Sequence, residues 1–306
     1  MISLPNAEWT QMVGPVAGLD VVEWDMTGPA PDADRIELVV PPYMGVGDRL
    51  HRLRELPRLR VVQTLTAGYD DVLPHVGPGV ELANAAGVHD TSTAELAVTL
   101  ILAAQRGIPE FVAAQADSRW LSGPPRTALA DKRVMVLGYG AIGRAIARRL
   151  LPFEVSVTAV ASRPRAGDEL VASVHGIDEL PDLLPQHDVV VLIVPLVPGT
   201  TGLVDRAFLA AMRPGALLVN VARGGVVDTD ALVEALHAGH VRAALDVTDP
   251  EPLPPGHPLW RAPQVLISPH TGGATDAFPP RAVRLLRDQL ADFAAGRPLR
   301  NVVRAG

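Results

Sequence analysis

The stretch Val134-Met135-Val136-Leu137-Gly138-Tyr139-Gly140-Ala141-Ile142-Gly143 decides how this chain is read. Four consecutive apolar residues read as a strand buried on both faces, and Ala141–Leu151 carry helical spacing. Between them sits G-x-G-x-x-G in the strand–turn–helix setting that gives the pattern meaning. Gly138 permits the tight turn, Gly140 lets backbone approach a pyrophosphate, and Gly143 lets the helix pack close on the strand. Ala141 and Ile142 open the helix, whose free N–H groups and positive dipole end suit phosphates. The stretch predicts dinucleotide binding.

Downstream, Ser156–Val160, Val189–Val194, Ala216–Val221, Ala243–Asp246 and Val265–Ser268 read as further strands, with helices at Asp205–Met212 and Asp228–Ala238. Together with Val134–Leu137 they predict a doubly wound nucleotide-binding sheet. Upstream, Leu19–Trp24, Ile36–Val40, Leu59–Leu65 and Val80–Ala83 read as strands and Asp48–Glu55 as a helix, predicting a second, smaller parallel α/β domain. Ser92 and Glu95 have the spacing of a capping box, so a helix is expected to start there and run to about Arg106. Residues 107–132 lack a sheet pattern and read as a connecting arm. Ala282–Ala295 reads as a last helix, free to return to the first domain.

Length and composition agree. A chain of 306 residues suggests about two domains, and 48% hydrophobic with 20% charged residues can fill their cores. A net charge of −7 argues against nucleic acid held by bulk electrostatics. The absence of cysteine removes disulfide scaffolds, thiolate zinc sites and cysteine nucleophiles; no metal site is expected. Met1-Ile2-Ser3-Leu4-Pro5 does not open a secretory signal, and runs such as Leu96–Ala104 are too short to span a membrane, so the expectation is a cytoplasmic protein.

An NAD-binding protein usually places an acid about 20 residues after the glycine loop, against the ribose 2′-hydroxyl. Ala161 stands there instead, followed by Ser162-Arg163-Pro164-Arg165. A hydroxyl and two guanidinium groups suit a dianionic 2′-phosphate, so NADPH is favoured, with NADH possible. The competing reading is a solvated basic turn, which 26 arginines make easy to find by chance.

Three polar segments end strands of the second series: Asn220-Val221-Ala222-Arg223-Gly224-Gly225, Asp246-Val247-Thr248-Asp249-Pro250-Glu251-Pro252 and Ser268-Pro269-His270-Thr271-Gly272-Gly273. They bring an arginine, a glutamate and a histidine to one edge of the sheet. Arg223 can hold a carboxylate in a fork and polarise the neighbouring carbonyl. It also opens a helix, where a cation is disfavoured, which strengthens a functional reading. His270 can pass a proton to or from an oxygen. Glu251 can bond the other imidazole nitrogen and fix its orientation. One histidine among nine means little alone; the combination carries the reading.

In these motifs, with Val194-Pro195-Leu196 and Pro258-Leu259-Trp260, the sequence resembles the D-isomer-specific 2-hydroxyacid dehydrogenase family over essentially its whole length. Thr93-Ala94-Glu95 and the Ser-Arg-Pro-Arg turn look most like its glyoxylate/hydroxypyruvate reductase branch. The resemblance implies Arg223, Glu251 and His270 as the catalytic set and Asp246 against the nicotinamide carboxamide. It adds Thr93, Pro195, Val221, Ala222, Gly272 and Gly273 to the cofactor site. It implies that Ala67 and Gly68, with Arg223 and His270, meet the substrate, through a loop whose backbone N–H groups receive a carboxylate. Tyr43 and Met44 are further pocket candidates. The fold implied is α/β: a Rossmann domain over 98–277 and a flavodoxin-like substrate domain from 1–97 and 278–306. A homodimer is implied, with 107–132 as the candidate arm. Glu154 departs from the family pattern, which commonly has glycine there.

The function expected is hydride transfer from NADPH to a small 2-keto acid, giving a D-2-hydroxy acid. Two alternatives stand beside it: an NAD-dependent dehydrogenase of a larger D-2-hydroxy acid, and a dinucleotide-sensing protein without catalysis. A glutamate at 251 disfavours formate dehydrogenase, whose histidine partner is glutamine. The end of the chain soon after the last helix leads us to expect no regulatory extension.

Overall fold

The computed structural model describes residues 1–304; Ala305 and Gly306, the end of the expected 278–306 segment, lie outside the described residues. Fourteen strands are described in chain order. β1 (Ile2–Leu4), β2 (Val21–Glu23), β3 (Leu38–Val39), β4 (Val61–Gln63) and β5 (Glu81–Ala83) come first. β6 (Arg133–Leu137), β7 (Ser156–Ala161), β8 (Arg165–Ala166), β9 (Ser173–Gly176), β10 (Val189–Leu192), β11 (Ala216–Asn220), β12 (Val241–Leu245) and β13 (Val265–Ile267) follow, and β14 (Val302–Arg304) closes the series. They form two sheets in two compact units, one from Met1–His89 with the described residues from 276 onward, the other Asp90–Thr275.

The first unit's sheet has the order β14-β5-β4-β3-β1-β2. Its five N-terminal strands are parallel and follow the flavodoxin-like 2-1-3-4-5 order. β14 pairs antiparallel with β5, so this edge departs from the expected parallel sheet. Leu38 and Val61 pack on one face and Val39 and Val62 on the other. The helix Phe278–Ala294 buries Phe278, Ala282, Leu286 and Leu290 in the first of these cores. A buried amide pair fixes it further: Gln289 Nε2 donates to Gln63 Oε1 at 2.5 Å, and Gln289 Oε1 accepts the Arg300 N–H at 2.8 Å. The expected helix over Asp48–Glu55 is present as a 3₁₀ helix, Gly47–Glu55.

The second unit's sheet runs β13-β12-β11-β10-β6-β7-β9-β8. All neighbours are parallel except the β8–β9 edge pair. The order in which strands are added reverses between β6 and β10, which run parallel, and ligands of such sheets bind beyond the carboxyl ends at that point. The buried strands alternate faces: Val134, Val136, Val189 and Val191 point to one core, Met135, Leu137, Val190 and Leu192 to the other. The helix expected to start at Ser92 starts at Asp90 and runs unbroken to Arg106. Ser92 is not its cap, because its hydroxyl bonds Thr275 Oγ1 at 2.7 Å. The expected boundary at 97/98 would cut this helix; the units divide at its first residue. The 107–132 segment is not all irregular, since Ile108–Ala116 is a helix. Among the described residues no single helix is long and apolar enough to cross a membrane, and no cluster of metal-ligating side chains occurs.

Candidate active site

The three polar segments leave β11, β12 and β13, which are adjacent and parallel, so they emerge at one edge. After β11, the buried Asn220 side chain shapes the turn. Its Oδ1 accepts the Ala222 N–H at 3.0 Å, and its Nδ2 donates to Arg223 O at 3.0 Å. Val221 and Ala222 are buried behind it. Arg223 is half-buried, and its Nη1 donates to Ala222 O at 2.8 Å. Gly224 fits tightly against the chain leaving β12: a Cβ there would lie 1.9 Å from Thr248 O.

Asp246, 3% exposed at the end of β12, organises the loop after β13. Its Oδ1 accepts Ser268 Oγ–H at 2.7 Å and the Thr271 N–H at 2.8 Å, and its Oδ2 accepts the Gly272 N–H at 2.8 Å. Its main-chain carbonyl accepts the His270 N–H at 2.7 Å. These bonds hold His270 at φ +52°, a left-handed conformation uncommon outside glycine and found where surrounding structure over-determines it. The His270 ring then meets Glu251, Nδ1 to Oε1 at 2.5 Å. A carboxylate only accepts, so Nδ1 carries the proton and Nε2 is left for a reacting oxygen. Thr93, on the Asp90–Arg106 helix, lies beside Gly272, where an added Cβ would come within 3.5 Å of it; Gly273 follows, half-buried.

The glycine loop joins β6 to the helix Ala141–Leu150. Gly138 has φ +108°, and a Cβ there would lie 2.4 Å from Ile193 O, in the chain leaving β10 toward Pro195. A Cβ on Gly143 would lie 2.0 Å from Gly138 O, while one on Gly140 would meet only open space. No side chain caps the helix Ala141–Leu150. Its first-turn N–H groups therefore fit a pyrophosphate. Tyr139 is anchored at both ends: its hydroxyl donates to Asp168 at 3.1 Å, and its carbonyl accepts Arg165 Nη2 at 2.7 Å. Burial, reinforced by the Asp168 contact, pushes the Tyr139 phenol up to about 12. The Leu170 N–H and then the Tyr139 hydroxyl hold Asp168 below the usual carboxylate range, so Asp168 is charged and Tyr139 neutral at pH 7. Arg165 is thus committed to the loop. Ser162 and Arg163 are exposed, and no protein group among the described residues bonds the Arg163 guanidinium.

In the first unit, the loop after β4 is pinned by its carbonyls. Thr66 O accepts the Ala85 N–H at 2.9 Å, Ala67 O accepts Asn84 Nδ2 at 2.7 Å, and Gly68 O accepts Thr66 Oγ–H at 2.6 Å. In a trans peptide the next N–H points opposite the carbonyl. The Ala67 and Gly68 N–H groups are therefore turned away from Ala85 and Asn84, as an anion-receiving loop requires. Tyr43 packs in an aromatic stack, 5.5 Å from His89 and 4.1 Å from Phe278 between ring centres, and Met44 is exposed.

Residues 98–272 match the family model for the D-isomer specific 2-hydroxyacid dehydrogenase NAD-binding domain. The chain belongs to that family. A family member from Mus musculus, a glyoxylate reductase/hydroxypyruvate reductase, is 35% identical over 289 residues, 88% of this chain and 86% of its own. Among solved structures of the family, a D-isomer specific 2-hydroxyacid dehydrogenase from Xanthobacter autotrophicus Py2, in complex with NADPH and MES, matches with a TM-score of 0.82 at 31% identity, covering 99% of this chain and 98% of that one. An NADPH-dependent glyoxylate/hydroxypyruvate reductase from Sinorhizobium meliloti, in complex with NADP and sulfate, matches with a TM-score of 0.83 at 25% identity, covering 99% and 96%.

The sequence reading of this dehydrogenase passed over the residues that hold the site in shape. Asn220 had a readable signal, since an Asn ending a buried strand commonly closes an Asx turn. Ser268 and Thr271 had none, because their partner Asp246 lies more than twenty residues away.

Proposed function

We propose that this dehydrogenase uses NADPH to reduce a small 2-keto acid of the glyoxylate or hydroxypyruvate class to a D-2-hydroxy acid. The observation that carries the reading is the Glu251–His270 pair, 2.5 Å apart, on the same sheet edge as Arg223. A bound nicotinamide supplies the hydride. Arg223 grips the substrate carboxylate and polarises the adjoining carbonyl. His270, held through Nδ1 by Glu251, delivers a proton from Nε2 to the carbonyl oxygen as the alcohol forms. The Ala67 and Gly68 N–H groups add donors for the carboxylate. The first-turn N–H groups at Ala141 and Ile142 hold the pyrophosphate, with Val221, Ala222, Pro195, Thr93, Gly272 and Gly273 completing the cofactor's surroundings.

Preference for NADPH rests on Ala161, which offers no carboxylate to repel a 2′-phosphate, and on Arg163, an exposed cation beside it; the NADPH-bound relatives support it. The working unit is a homodimer joined through 107–132. That segment exposes Ile108, Phe111, Val112, Leu121 and Trp120, the last 95% exposed, which is more apolar surface than a monomer ordinarily leaves to water.

Steady-state assays with glyoxylate and hydroxypyruvate, with either cofactor, test the reading. His270→Ala lowers kcat by about 10²–10⁴-fold while cofactor binding persists. A variant within a few-fold of the parent would remove His270 as proton donor and leave a dinucleotide-sensing protein as the better account. Arg163→Ala raises the NADPH KM by about 10–150-fold, the range of a charge-assisted contact, and leaves NADH unaffected. Equal effects on both would mean that the turn does not read the phosphate.

A further inference from the structure

Tyr139 is the one side chain between Gly138 and Gly140. Glycines have more backbone freedom to lose than any other residue, so a turn built on two of them needs an outside hold to keep one shape. Gly138 has such a hold, its N–H donating to Val160 O at 2.8 Å. Gly140 stands beside open space, and its neighbour Tyr139 is the anchored residue. Tyr139 is 4% exposed, its ring set in the core that Val136, Ile146 and Val171 also line. Its hydroxyl donates to Asp168, 3.1 Å from Oδ1 and 3.3 Å from Oδ2, and its carbonyl accepts Arg165 Nη2 at 2.7 Å.

Both partners come from one hairpin, the antiparallel β8–β9 edge pair. Gly167 turns it so tightly that a Cβ there would lie 1.9 Å from Val171 O. Asp168 Oδ1 also accepts the Leu170 N–H at 2.9 Å, so the carboxylate is fixed within the hairpin itself. The hairpin meets the helix Ala141–Leu150 as well: Arg144 Nε lies 2.8 Å from Asp168 Oδ2, and Arg144 and Arg148 each reach Glu169 at 3.0 Å. Those arginines and Glu169 are exposed, and exposed ion pairs contribute little. The Tyr139 hydroxyl is part-buried and bonded to a charged acceptor, which makes it the stronger tie. Arg163 opens the same hairpin, two residues before Arg165.

We propose that Tyr139 is a positioning residue for the cofactor's pyrophosphate. Its hydroxyl, held by Asp168, keeps the first-turn N–H groups of the helix Ala141–Leu150 where a pyrophosphate is received, for NADPH and NADH alike. This rests on the proposed function only for the dinucleotide in the glycine loop, and not for the keto acid or the reading of the 2′-phosphate. Without the bond the loop spends part of its time in other shapes, and the apparent affinity falls by the fraction of binding-competent loop that is lost.

Calorimetric titration with two fragments tests it. ADP-ribose carries the pyrophosphate without a 2′-phosphate or nicotinamide; 2′-AMP carries the 2′-phosphate without a pyrophosphate. Tyr139→Phe keeps the ring in its core and removes only the hydroxyl. It raises the Kd of ADP-ribose, NADPH and NADH by one common factor, about tenfold, the low end for a bond to a charged group, and leaves that of 2′-AMP within about twofold. Arg163→Ala gives the opposite pattern, weakening 2′-AMP and not ADP-ribose. Asp168→Asn, a second route to the same bond, also weakens ADP-ribose, and the double variant with Tyr139→Phe is no weaker than the weaker single one. A folded Tyr139→Phe with a lower Tm and an unaltered Kd for ADP-ribose would make the tyrosine merely structural and overturn the proposal. Equal weakening of 2′-AMP, or additive losses in the double variant, would do the same. A parent that binds neither ADP-ribose nor the dinucleotides would instead remove the dinucleotide reading, and this proposal with it.

Discussion

Replacing Gly224 by alanine separates the placement of Arg223 from its chemistry. The added Cβ would stand 1.9 Å from the Thr248 carbonyl oxygen and 2.2 Å from its carbon. Ordinary contact begins near 3.4 Å, so the backbone after β11 must retreat by about 1.5 Å, and Arg223 is the preceding residue. Both obstructing atoms are main chain, which leaves no flexible side chain to give way. A displacement of about 1 Å at a substrate-positioning group costs on the order of 10²-fold in rate. Overpacking adds about 1–3 kcal/mol of destabilisation. Gly225→Ala is the matched control, because its Cβ would meet Leu196 at 3.5 Å, an ordinary contact. Initial rates on glyoxylate, with Tm and NADPH binding measured alongside, should show kcat/KM about 10²-fold lower for Gly224→Ala and within about threefold of the parent for Gly225→Ala. The two variants behaving alike, with both folded, would refute the claim that close packing on Thr248 sets the position of Arg223.

Glu154 occupies a left-handed conformation, φ +60°, at the end of the 3₁₀ turn Leu151–Phe153. Glu154→Gly should stabilise the protein by about 0.5–1 kcal/mol, the side-chain penalty of roughly 1–2 kcal/mol less glycine's greater freedom when unfolded; denaturant melts showing a loss would contradict this. His187 is fully buried, its Nδ1 donating to Leu183 O at 2.7 Å and its Nε2 meeting Thr158 Oγ1 at 2.8 Å, and burial holds its pKa below the ordinary value. The unfolded chain then takes up a proton that the folded one resists, so stability is complete above about pH 6.5 and declines as pH falls below it. Tm measured from pH 8 to 5 should fall less steeply in His187→Gln than in the parent, and parallel curves would exclude His187 as the source. The carboxylates held low, such as Asp168 and Glu234, act in a separate window below about pH 4.5.

The long buried strands were legible because Val134–Leu137 and Val189–Leu192 are apolar on both faces, the first ending at Gly138 and the second's apolar run closing at Pro195. β8 and β14 were not, since two or three residues carry no periodicity and exist only through their pairing partners. β1 is equally short and lies between two strands that hold it in register. The helix Ala7–Val13 did carry a readable start, because Asn6 accepts the Trp9 N–H at 3.1 Å as an N-cap should. Ser92 shows the opposite error: the capping spacing is real, but the hydroxyl found a partner at Thr275. In the site, Arg223, Glu251 and His270 were legible as residue types at strand ends. The turn made by Asn220 and the network around Asp246 depend on distances that only the folded chain sets.

The first unit is sewn from both ends of the polypeptide, and that has a consequence for biogenesis. On a ribosome, residues 1–89 emerge early, but the helix Phe278–Ala294 that covers one face of their sheet, and the strand β14 that closes its edge, come last. About 190 residues are made in between, which at roughly 5–20 residues per second is about 10–40 s of delay. The second unit has all its strands before the first can be completed. Through that interval Leu38, Val61 and their neighbours lack their apolar cover, so the nascent N-terminal segment is the part of this enzyme most in need of a chaperone.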